Sequence, residues 1–144
     1  MSGALDGIRV LDLSRLLPGG FCSLLLADFG AEVLKVEDTG MGDYVRWSPP
    51  YHEGAEESAR SALFLSLNRG KRSLRLNLKE EAGREVLLRL AREYDVVLES
   101  FRPGMLERLG VGWERCPTSG SSTSRGSCRA GSARCCWPTS APRC

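Results

Sequence analysis

Histidine is nearly missing from the 144-residue chain: His52 is the only one. A histidine-based metal centre, or a Ser-His or Cys-His catalytic pair, needs a second suitable group, and no cysteine lies near His52. Long apolar runs are missing too. No stretch approaches the roughly 18 residues that cross a bilayer, and the opening MSGALDG has no charged segment followed by an apolar one. Neither a membrane span nor a secretory leader is expected, and the reading is of a cytoplasmic protein without a membrane partner. Cysteine is scarce where a fold would use it. Of six, five (Cys116, Cys128, Cys135, Cys136 and Cys144) fall within 115–144, which argues against a disulfide framework. Cys22 sits alone in an apolar helical pattern and reads as a buried thiol.

Residues 115–144 also lack Leu, Ile, Val, Phe, Tyr and any acid. They offer too little apolar area to offset the entropy of ordering them, so a low-complexity, disordered tail is expected. Its five arginines supply the whole positive excess, since residues 1–114 carry 15 Lys and Arg against 18 Asp and Glu. With an acidic body and no basic face interleaved with aromatics, nucleic acid is not expected as a partner.

What is present is a body, 1–114, of single-domain size. Residues 8–13 read as a strand, 14–20 (SRLLPGG) as a glycine-rich turn, and Phe21, Leu24, Leu25, Leu26 and Phe29 as a helix stopped by Gly30. A second strand over 32–37 (EVLKVE) completes a β-α-β unit with parallel pairing. A dinucleotide fingerprint would need three glycines in register, and the adjacent pair Gly19-Gly20 does not supply them, although Glu37 stands where a ribose-binding acid would. From 38 to 62 glycines and prolines interrupt every period, giving a long loop on which Arg46 and Trp47 are candidates to cover a ligand. LFLSL (63–67) is short and apolar, of either type, and NRGKR (68–72) reads as a solvated basic turn.

Strict alternation over 73–78 gives a strand with one buried face, and 79–94 is the clearest amphipathic helix. DVVL (95–98) has the character of a strand buried on both faces. The turn ESFR (99–102) then lies at its carboxyl end, where open α/β sheets hold ligands. Pro103 suits the first position of a short helix whose free N–H groups would face that turn, with Arg102 and Arg108 bracketing it. The expected fold is α/β, a Rossmann-like parallel sheet with flanking helices.

The segments GAEVLKVE (30–37), GDYVR (42–46), NRGKRSLRLNLK (68–79) and above all ESFRPGMLERLG (99–110) resemble the amino-terminal part of the family III CoA-transferases, a group that includes carnitine-CoA and formyl-CoA transferases and α-methylacyl-CoA racemases. The resemblance implies a segment that holds coenzyme A, as substrate rather than resident cofactor, in a protein whose full-length relatives are interlocked homodimers acting on acyl-CoA and carboxylic acids. In the transferases an aspartate attacks the thioester and carries the acyl group as a mixed anhydride; the racemases abstract the proton beside the thioester carbonyl. In both, the catalytic carboxylate lies beyond the equivalent of Glu114, so no catalytic residue is expected in this chain, and inactivity is. Carried over by position, coenzyme A contacts fall on Leu17 and Pro18, on Leu76, Asn77, Leu78 and Lys79, on Ser100, Phe101 and Arg102, and on Arg108. The sequence departs from the family at Asp38, where many transferases have an arginine, at Ser100, where Asn is frequent, and at Pro18-Gly19-Gly20 in place of Ala-Gly-Pro.

The composition of 115–144 suggests a shifted reading frame. Back-translating 116–124 and reading one base earlier yields residue classes that LPDLGIVYV satisfies, the character of a buried strand. Two rival readings remain beside the transferase and racemase branches: a free-standing CoA- or nucleotide-binding module, and a pseudogene product without ligand.

Overall fold

The computed structural model describes residues 3–53, 61–112, 128–130 and 133–136. In chain order these form β1 (Arg9–Asp12), α1 (Leu16–Asp28), β2 (Glu32–Glu37), a 3₁₀ turn (Tyr44–Trp47), α2 (Ala62–Asn68), β3 (Arg72–Arg75), α3 (Glu81–Glu93), β4 (Val96–Glu99), α4 (Met105–Arg108), β5 (Cys128–Ala130) and β6 (Ala133–Cys136). The sheet runs β3-β2-β1-β4-β6-β5. Its first four strands are mutually parallel, with Val10 beside Val33 on one side and Val96 on the other, while β6 is antiparallel to β4. The Rossmann-like parallel sheet with flanking helices is thus observed. The chain moves outward from β1 to β3 and then returns to the other side of β1 at β4. That reversal opens a crevice at the carboxyl ends of β1 and β4.

Side chains alternate between two faces of the sheet. Leu11, Leu13, Leu34 and Val36 pack under Leu87, Ala91, Leu106 and Val111 from the segments of α3 and α4. Val10, Val33, Val96 and Leu98 form the opposite face, where Cys22, Leu26 and Ala27 of α1 lie.

Three local expectations change, and one segment left open between helix and strand is decided. Helix α1 begins at Leu16 and takes in Pro18, Gly19 and Gly20, which the sequence presents as a turn. Pro18 falls in the first turn, where a missing N–H breaks no helical bond. Gly19 is there for proximity: a Cβ on it would stand 2.1 Å from that of Ser14. The long loop after β2 contains the 3₁₀ turn, capped by the Asp43 carboxylate accepting from the Val45 N–H at 3.1 Å. The apolar piece before the basic cluster is helical, as α2. Finally, α4 is a single turn that starts at Met105 behind Gly104 (φ +81°), so Pro103 lies in the turn before the helix rather than at its first position. The expected disorder of 115–144 falls mostly outside the described residues; its exceptions are the backbones of β5 and β6, which extend the sheet through hydrogen bonds that need no apolar side chain.

Candidate functional site

At the carboxyl ends of β1, β2 and β3 a groove opens on the α3 side of the sheet, with Leu13 and Val36 in its floor and Leu76, Asn77, Leu78, Lys79 and Phe101 around it. The turn carrying four of these residues is built locally. Leu76 N–H donates to the Glu37 carbonyl at 2.9 Å, continuing the ladder one residue past β3, and the Asn77 side chain then accepts from Lys79 N–H at 3.1 Å, which ends the strand. Arg84 braces the turn from α3 by donating to the Lys79 carbonyl at 2.6 Å. Gly83 lets the helix approach, since a Cβ there would lie 2.1 Å from the Asn77 carbonyl oxygen.

The two loops at the crevice are tied together. Leu13 N–H donates to the Leu98 carbonyl at 2.8 Å, and Arg15 N–H to the Ser100 hydroxyl at 3.0 Å. The Phe101 amide donates to Glu99 Oε2 at 2.7 Å. Arg15 reaches over the groove, its guanidinium 5.6 Å from the Phe101 ring centre and 5.7 Å from that of Tyr44, with Asp38 at 3.9 Å. Of the residues singled out from sequence, Leu76, Asn77, Leu78, Lys79 and Phe101 are therefore assembled, and Ser100 supports them through the Arg15 backbone. Arg102 faces a neighbouring hollow with Pro103, Gly104 and Glu107. Leu17 and Pro18, exposed on the first turn of α1, and Arg108, exposed at the end of α4, are not among the groove-lining side chains.

The other face of the sheet holds a charged cluster that sequence reasoning missed. Asp12 and Lys35 are register partners on β1 and β2, both almost wholly buried. Asp12 accepts from the Ser14 amide and from the hydroxyls of Ser14 and Ser23. Lys35 pairs with Asp43 at 2.8 Å and donates to the Ser14 carbonyl. Glu37 receives both ends of the Arg46 guanidinium at 2.7 Å, the Ser73 hydroxyl and the Asp43 amide. Arg46 in turn stacks 3.7 Å from the Phe64 ring centre, so it is an internal brace instead of a cover for ligand. Burial works against ionising Glu37, but its hydrogen bonds from Arg46, Ser73 and the Asp43 amide, with the Arg46 charge, outweigh this and hold its pKa at about 2.

Lys71, which the sequence places in a solvated turn, has a buried side chain instead: its ammonium donates to the Gly20 carbonyl and the Ser23 hydroxyl, with Asp12 at 3.8 Å. Desolvation lowers its pKa to about 8, against the pull of Asp12. The available signal was the repeat Val10/Asp12 and Val33/Lys35/Glu37, in which one face of two adjacent strands turns from apolar to charged toward the carboxyl end. Among the described residues no cluster of His, Cys, Asp and Glu suits a metal ion, and no helix is long and apolar enough to cross a membrane.

Residues 5–119 match the family model for CoA-transferase family III. The chain belongs to that family. Succinyl-CoA:mesaconate CoA-transferase of Haloarcula marismortui is 49% identical over 112 residues, covering 78% of this chain and 28% of the relative. Human succinyl-CoA:glutarate CoA-transferase is 43% identical over 111 residues, covering 76% of this chain and 24% of the relative. Among solved structures, a CAIB/BAIF family protein from Brucella suis aligns with a TM-score of 0.72 at 40% identity, over 81% of this chain and 30% of that one. The chain thus spans 24% to 30% of the length of these proteins, and it is a partial family III domain homologous to acyl-CoA:carboxylate transferases.

Proposed function

We propose that this chain supplies the carrier-holding part of a family III CoA-transferase, with the nucleotide end of coenzyme A in the groove between the 76–79 turn and Phe101. The observation that carries the reading is that these residues, from separate segments, meet over one apolar floor at the carboxyl ends of parallel strands. Leu76 and Leu78 offer apolar surface and nearby backbone groups to a base, while exposed Lys79 offers charge to a phosphate. The two relatives above, a succinyl-CoA:mesaconate and a succinyl-CoA:glutarate CoA-transferase, favour the transferase branch over the racemase branch. In this reading the nucleophilic carboxylate lies outside these 144 residues, so the chain alone is expected to transfer no acyl group.

Calorimetry with coenzyme A and with NAD tests the reading. Binding of coenzyme A alone supports it; tight NAD binding points to a general nucleotide module; no binding together with no cooperative unfolding points to a non-functional product. Acyl transfer by the purified chain at rates usual for an enzyme would overturn the assignment of the nucleophile. The reading carries three further expectations. Self-association is supported by the exposed row Leu17, Phe21, Leu25 and Phe29 along α1 and is checked by sedimentation. A cytoplasmic location is checked by fractionation. A displaced frame near Glu114 is checked by sequencing the gene, where a one-base shift should open a long continuation resembling the family.

A further inference from the structure

We infer that Arg15 and Asp38 form a charge filter that reads the phosphate on the ribose of the carrier, an assignment that rests on the coenzyme A reading above and deepens it. In parallel α/β sheets the ribose of a bound nucleotide lies over the carboxyl end of the second strand, where an acid takes its free hydroxyls and an arginine accommodates a phosphate esterified there. The acid that position alone would select, Glu37, is committed elsewhere: its two oxygens hold Arg46, Ser73 and the Asp43 amide, and it is buried. The next residue is Asp38, which lines the groove and is partly exposed.

Arg15 reaches to 3.9 Å from that carboxylate from the β1–α1 turn, and both side chains face the groove. Its backbone is pinned by Ser100 and its guanidinium is flanked by the Tyr44 and Phe101 rings, so the charge is held beside the place where ribose substituents would arrive. Neither partner is enclosed: their side chains are 35% and 42% exposed, which leaves the guanidinium able to turn from Asp38 to a phosphate. Arg15 provides the attraction for a phosphorylated ribose, and Asp38 weakens it while orienting the arginine.

The test is calorimetry on the full chain with coenzyme A and 3′-dephospho-coenzyme A. For Arg15→Gln the expected result is about a tenfold loss for coenzyme A with the dephospho form changed less than about twofold. For Asp38→Asn it is a gain of about threefold for coenzyme A alone. Binding of coenzyme A by the unmodified chain with a ratio between the two ligands that neither variant moves overturns the filter and leaves the coenzyme A reading standing. Failure of the unmodified chain to bind either ligand removes both. If Arg15→Gln does not fold, as judged by circular dichroism, the ratio measured with Asp38→Asn decides.

Discussion

The carboxyl end of the sheet has two sides, and they use charge in opposite ways. On the α1 side Asp12, Lys35, Glu37 and Asp43 are buried, and each has a charged or hydrogen-bonding partner within the protein. On the α3 side the charges of Arg15, Asp38 and Lys79 border an open groove with an apolar floor and keep much of their contact with water. Desolvated charges with a full set of partners are costly to disturb and poorly placed to meet a ligand. Half-solvated charges around an apolar floor cost little to redirect. The difference separates a brace from a binding surface within a few residues of the same strands.

The largest effect should come from breaking the brace. Lys35→Met leaves the buried Asp43 carboxylate without its ammonium, a loss of about 3–5 kcal/mol, which is a large part of the stability of an ordinary domain. Urea unfolding should show a collapse of the midpoint or no cooperative transition; a change under about 1 kcal/mol would mean that the brace is not structural. Acid should open the same side more gradually. The folded-state pKa of Glu37 is depressed from 4.5 to about 2, so its contribution is complete above about pH 4.5 and is lost as pH falls toward 2. The shift corresponds to about 3 kcal/mol. Stability measured across that window should fall with decreasing pH in the unmodified chain and lose much of this slope in Glu37→Gln.

How far the two sides could be read from sequence differs for the same physical reason. The groove was legible because its residues sit at ends of elements: alternation over 73–78 located a strand near Leu76, and DVVL located β4 before Phe101, so topology alone brought both to one edge. The parallel pairing of the first two strands was legible for similar reasons. The brace was not, because its partners are distant in sequence. Lys71 in NRGKR looks like any surface lysine until α1 and α2 close over it, and Arg46 looks like a loop residue until Glu37 and Phe64 enclose it. Gly19 reads as a turn former, yet its role is to let α1 pass Ser14, a contact that only the packed structure contains.

On the groove side, Lys79→Gln should leave the urea midpoint within experimental scatter, since its side chain is exposed. It should weaken coenzyme A binding about fivefold, roughly 1 kcal/mol, through one lost contact to phosphate. Equal loss of stability and affinity would merge the two sides that the comparison keeps apart.

The smallest effect concerns the junction between them. Leu16, the first residue of α1, is the one described non-glycine residue with positive φ, +61°, and the residue is 50% exposed. A left-handed conformation costs an ordinary residue about 1–2 kcal/mol, whereas glycine adopts it freely but adds about 0.5–1 kcal/mol of unfolded-state entropy. Leu16→Gly should therefore stabilise the chain by about 0.5 kcal/mol. Strain held between a brace and a ligand groove is expected where the fold positions a site at some cost to itself. A higher urea midpoint with weaker coenzyme A binding would assign the strain to the groove. A lower midpoint would show that the Leu16 side chain stabilises the fold by more than its backbone costs, and would place the residue with the brace.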